Sequence, residues 1–132
     1  MAELIASLDG LAAFVLDYDH NAPNAEHLAA THEPFFRIVR ERRPDLPILV
    51  LSRPDFWANA TDDTLARRET VKRTVENAIA AGDRHVRFLD GATLFGAENR
   101  DDCSVDRCHP NDLGFRRMAD AVLAAFRRLG VS

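Results

Sequence analysis

Three short apolar runs punctuate the chain, and each ends in a polar cluster. Residues 12–16 lead into Asp17, Tyr18, Asp19, His20 and Asn21; residues 47–51 lead into Ser52, Arg53 and Pro54; residues 86–89 lead into Asp90 and Gly91. Continuous apolar runs of this length, rich in Val, Ile and Phe and bounded by turn residues, predict strands buried on both faces. Between them the period lengthens to three and four. Leu28, His32, Phe35, Phe36 and Val39 mark a helix that closes on Arg40, Arg42 and Arg43 at its negative end. Pro34 interrupts that pattern and predicts a kink or restart near Thr31, because proline suits only a first helical turn. A second helix has Thr61, Asp62 and Asp63 as cap candidates, turns Val71, Val75, Ala78 and Ile79 inward, and stops at Gly82. A third starts at Asn111 or Asp112 and turns Phe115, Met118, Val122, Phe126 and Leu129 inward. Strand and helix alternate, which predicts parallel βα units in a layered α/β sheet. In such sheets the working groups gather beyond the carboxyl ends of the strands, where the polar clusters sit.

Composition narrows the class. A chain of 132 residues, 46% hydrophobic and 29% charged, fits one domain with a real core, residues 1–132. With 17 Lys plus Arg against 21 Asp plus Glu, the net charge of −4 gives no basic footprint for nucleic acid. No apolar run is long enough to span a bilayer, so no membrane partner is expected. The acidic start, with Glu3 and Asp9, lacks the basic region of a secretory signal. Cys103 and Cys108 are too few for a disulfide scaffold. The expectation is a cytoplasmic protein.

The chemistry concentrates before the third helix. Asp106 and His109 stand three apart, so both can face the same way on one turn, with Pro110 and the helix cap behind them. The carboxylate can then accept the imidazole Nδ1–H, fix the tautomer and leave Nε2 as a general base. Asn21 ends the first polar cluster at the same edge of the sheet. Its amide is either an oxyanion donor, a contribution of about 3 kcal/mol in acyl transfer, or part of a turn with Pro23 and Asn24.

These segments resemble the SGNH, or GDSL-type, hydrolase family. Residues 14–23 look like the family's block with the oxyanion Asn, with Asp19 at its usual Gly and Ala22 at its usual Asp. Asp106 to Pro110, with Asn111 and Gly114 following, looks like its closing DxxHP block, and residues 31–36 and 51–56 look like a bacterial branch. The resemblance covers residues 3 to 126. It implies a three-layer, flavodoxin-like parallel sheet, here shortened to three strands. It also implies a serine esterase or acylhydrolase acting on small-molecule or carbohydrate esters, acetyl esters among them, with no cofactor and no metal. His109 would be the base, Asp106 its orienting acid and Asn21 an oxyanion donor.

The family's nucleophile block belongs before the Asn21 strand, and none of Ser7, Ser52, Ser104 or Ser132 sits in a strand–GDS–helix context. The chain therefore reads as the C-terminal portion of such an enzyme, by natural truncation, a mis-started frame or fragmentation, with its nucleophile unassigned. Without the missing strands the residue 12–16 strand becomes an open edge. The expected consequence is self-association through that edge, or a need for the N-terminal segment in trans.

Two other readings compete. Asp17 and Asp19 after an apolar strand look like the opening of haloacid-dehalogenase-like phosphatases, with Lys72, Asp101 and Asp102 as later motifs and Mg²⁺ as cofactor. That reading leaves the DxxHP segment unexplained. The other is a non-catalytic module kept for fold or assembly. Cys103, Asp106, Cys108 and His109 lack paired CxxC spacing, which argues against zinc. Arg37, Arg40, Arg42 and Arg43 read as a solvated helix face. Phe56 and Trp57 either line a substrate entrance or cover the core rim.

Overall fold

The computed structural model describes residues 1–54 and 60–131, so Phe56, Trp57 and Ser132 lie outside the described residues. The apolar runs form three parallel strands, β1 (Phe14–Asp17), β2 (Ile48–Leu51) and β3 (Val86–Leu89), side by side in chain order. Phe14 pairs with Ile48, and Ile48 with Val86. Alternation along these strands divides the core in two. Leu16, Ile48, Val50 and Val86 face helices α1 (Ala2–Ser7), α2 (Ala25–Arg42) and α3 (Asp62–Ala80). Leu49 and Leu51 face α4 (Asp112–Arg128) on the other side. The result is a three-layer α/β fold. All four residues of β2 are buried, as a central strand requires, whereas β1 is exposed at Val15 and Asp17.

Caps set where the helices begin. Asn24, Thr61 and Asn111 each accept a backbone N–H from the first turn of α2, α3 and α4. Asn111 is thus the cap, and Asp112 is the first residue of α4.

Four sequence expectations change. Helix α2 runs unbroken through Pro34. Pro34 and Ala30 are both exposed, so the carbonyl that loses its partner faces solvent and the helix continues. Ile79 is 54% exposed. A helix of 19 residues is about 28 Å long, twice the span of a four-residue strand, so its last turn overhangs the sheet. Phe115 is also exposed, because α4 lies over β2 and β3 and leaves the same face of β1 uncovered. Finally, Arg40 and Arg43 are not a solvated face. Arg40 pairs with Asp83 at 2.8 Å and donates to the carbonyls of Arg43, Pro44, Leu46 and His85. Arg43 donates to Ala6 O and Leu8 O, tying α1 to the end of α2.

Candidate functional site

The strands' carboxyl ends lead into three loops that meet at one place. After β1 the chain makes a 3-10 turn, Asp19–Asn21. Asp19 is buried, and its carboxylate accepts His20 N–H at 2.6 Å and, across the loop after β2, Arg53 N–H at 2.8 Å. The turn is gripped from below by Arg67 of α3, which is buried. Its guanidinium donates to the carbonyls of Asp19 (2.6 Å) and Ala22 (3.0 Å) and pairs with Asp63. Asn21 sits exposed between these two carbonyls.

The loop carrying His109 is pinned at its base. Ser104 and Pro110 form an antiparallel bridge, and Asn111 N–H donates to Cys103 O at 2.9 Å. Gly114 is required there, since a Cβ would stand 2.3 Å from Cys103 O. Within this loop Asp106 Oδ1 accepts the backbone N–H of Cys108 and His109, and Oδ2 lies 2.6 Å from His109 Nδ1. The ring contact, followed by the two backbone donors, holds the Asp106 carboxyl far below the usual carboxylate range. An ionised Asp106 accepts, so Nδ1 carries the proton. Nε2 is then the basic nitrogen, on a ring whose side chain is 80% exposed.

His109 and Asn21 line one pocket of about 210 Å³, with Asp17, Arg53, Cys108 and Phe115 also on its wall. Desolvation of its carboxyl on the pocket wall, and then the Asp19 charge, raises Asp17 above its ordinary value. Desolvation lowers the pKa of His20, with Arg53 and Arg67 adding to the effect against the opposing charge of Asp19. A larger cleft, about 690 Å³, opens between the far ends of α2 and α3. Its Arg40 and Asp83 are already paired with each other.

None of the described serines lines the pocket with His109. Ser7 is exposed and donates to Leu4 O. Ser52 is buried and accepts Gly91 N–H at 2.8 Å. The hydroxyl oxygen of Ser104 is buried. The phosphatase set is not assembled: Asp17 and Asp19 reach the pocket, but Lys72 pairs with Glu76 along α3, and neither it nor Asp101 or Asp102 joins them. Cys103 is buried and Cys108 half-buried, both as free thiols. Among the described residues no three His, Cys, Asp or Glu side chains gather as a metal site.

Sequence patterning passes over two residues that build this site. Arg67 occupies the apolar stripe of α3, four residues before Val71, and a charge on such a stripe is the signal that it reaches a buried partner. Arg53 gives no such signal, because its partners come from distant loops.

No helix of the described residues is long and apolar enough to cross a membrane. A family model for the GDSL-like lipase/acylhydrolase family matches residues 1–127. A protein described as a GDSL-like lipase from Bacteroides ovatus superposes with a TM-score of 0.77 at 28% identity, covering 97% of this chain and 38% of its own. Salicylyl-acyltransferase SsfX3, from a tetracycline biosynthetic pathway, superposes with a TM-score of 0.75 at 26% identity, over 99% of this chain and 42% of its own. The chain thus spans about two fifths of these solved structures. No curated protein matches it. With the family model matched over almost its full length and the sheet shared with solved relatives, the chain belongs to the GDSL-like lipase/acylhydrolase family.

Proposed function

We propose that the chain is the acid–base and oxyanion portion of a serine-type esterase that cleaves small acyl esters. His109 takes the proton of an attacking hydroxyl through Nε2. Asp106 holds the tautomer and stabilises the imidazolium, and the Asn21 amide binds the oxyanion that forms on the carbonyl. Water then releases the acyl group. The nucleophilic serine comes from outside the described residues, on a segment that packs beside β1. The observation that carries this reading is the 2.6 Å contact of His109 Nδ1 with Asp106, its other nitrogen basic, on a pocket shared with Asn21. The solved relatives, described as a lipase and an acyltransferase, support the same class of acyl chemistry.

The open flank of β1 supports the assembly part of the proposal. Phe14 bonds inward to Pro47 O, so the alternate residues Val15 and Asp17 direct their backbone groups to the unpaired edge. Self-association and capture of a complementing segment both use that edge. Two free thiols, Cys103 and Cys108, accord with a cytoplasmic setting.

Hydrolysis of p-nitrophenyl acetate tests the reading, measured for this chain and for the chain extended by the segment encoded upstream of Met1. The extended protein is expected to hydrolyse the ester and to take a fluorophosphonate label on one serine. Failure of both proteins would leave the non-catalytic module, a reading that the lack of a described serine in the pocket favours.

A further inference from the structure

Arg53 bonds to both halves of the pocket. Its backbone N–H donates to Asp19 at 2.8 Å, below the Asn21 turn. Its guanidinium donates through Nη2 to Arg107 O at 2.7 Å, inside the His109 loop, and Nη1 lies 3.4 Å from His20 Nε2. The residue is 8% exposed, and its Nε is buried with no partner among the described residues. The Arg53 backbone is itself immobilised. A Cβ at Gly91 would fall 1.7 Å from Arg53 O, so only glycine lets the loop after β3 close on it. At the far end, Arg107 has φ +60°, a left-handed conformation that a non-glycine residue holds only when its surroundings fix it.

We propose that Arg53 is a positioning residue, whose guanidinium sets the Asp106–His109 turn against the Asn21 turn so that base and amide face one pocket. The proposal rests on reading His109 as the base. Arginine suits the task because its planar fork spans two partners while the charge strengthens each bond. The two ends of the His109 loop are joined to each other at its base, through Ser104–Pro110 and Asn111 N–H to Cys103 O. Arg53 adds a third fixed point at the tip, next to the turn that Asp106 closes.

The test reads His109 in this chain by NMR, without any need for catalysis. The ¹⁵N shifts of the ring report the tautomer, and the Nδ1 proton reports the bond to Asp106. In the wild-type chain the Nδ1–H tautomer is expected to dominate, with that proton protected from exchange. In Arg53→Met, which keeps the stem and removes the fork, the protected proton should be lost and the tautomers should mix. Arg53→Lys should restore part of the protection, and Asp106→Asn should abolish it. A backbone amide fingerprint establishes that each variant is folded; if Arg53→Met is not, Arg53→Gln replaces it with the same expected loss. A folded variant lacking the guanidinium, with His109 shifts and protection like the wild type, would overturn the proposal. That result would leave the esterase reading untouched, whereas an inactive extended protein with Arg53-dependent His109 signals would sink the esterase reading alone.

Discussion

His109 gives two hydrogen bonds to a single carboxylate: its backbone N–H reaches Asp106 Oδ1 at 2.7 Å and its ring Nδ1 reaches Oδ2 at 2.6 Å. The Asp106 carboxylate therefore fixes the peptide and the ring of His109 together, and the exposed edge of the ring has one way to face. The pair is solvent-exposed, so its value lies in orientation and not in stability.

The pH dependence of this pair follows from the lowered pKa of Asp106. Its bonds are fully formed above the ordinary value of 3.8 and are lost only as pH falls through the lower folded value. A ¹³C titration of the Asp106 carboxyl should find it still ionised at pH 3.8, where an ordinary aspartate is half protonated. Half protonation there would mean that the ring and backbone donors do not hold it.

Buried His32 predicts a second slope of the same sign, in a higher pH window. Its Nδ1 donates to Thr74, whose hydroxyl donates onward to Thr70 O, and Nε2 is buried with no partner among the described residues. Desolvation takes its pKa from 6.5 to about 4. The unfolded chain binds the proton first, so stability is full above 6.5 and falls by roughly 3 kcal/mol as pH drops towards 4. Urea unfolding at pH 7 and pH 5 should show the loss in the wild type and a smaller one in His32→Gln. His20, lowered in the same direction, accounts for part of the remainder.

Arg67 supports the Asn21 turn. Replacing it by Met leaves the carbonyls of Asp19 and Ala22 without their donor, at a cost of roughly 2–4 kcal/mol. The urea midpoint should fall accordingly, and the amide signals of residues 19–22 should move more than those of α4.

The open edge predicts concentration-dependent association. Light scattering should show species larger than 14.8 kDa as concentration rises. Val15→Lys places a charge on the exposed, apolar edge position and should return the chain to a monomer. A wild-type chain that stays monomeric at millimolar concentration would remove the assembly proposal.

What was legible in the sequence divides along physical lines. The strands were, because β2 is buried on both faces and its run is unbroken by polar residues. Asp106 and His109 were, because both lie on one turn beside a cap. The burial of Arg53 was not, since nothing local distinguishes a guanidinium reaching a distant carbonyl from one in water, whereas Arg67 left a signal in its place on the apolar stripe of α3. The outward facing of Phe115 depends on how far α4 extends across the sheet, and helical period alone does not encode that.

The most direct check is kcat/KM for p-nitrophenyl acetate in the extended protein, compared with its His109→Ala and Asn21→Ala variants at pH 7. The expected loss is about 10³-fold or more for His109→Ala and about 10²–10³-fold for Asn21→Ala. Hydrolysis that survives either substitution at the wild-type rate would contradict it.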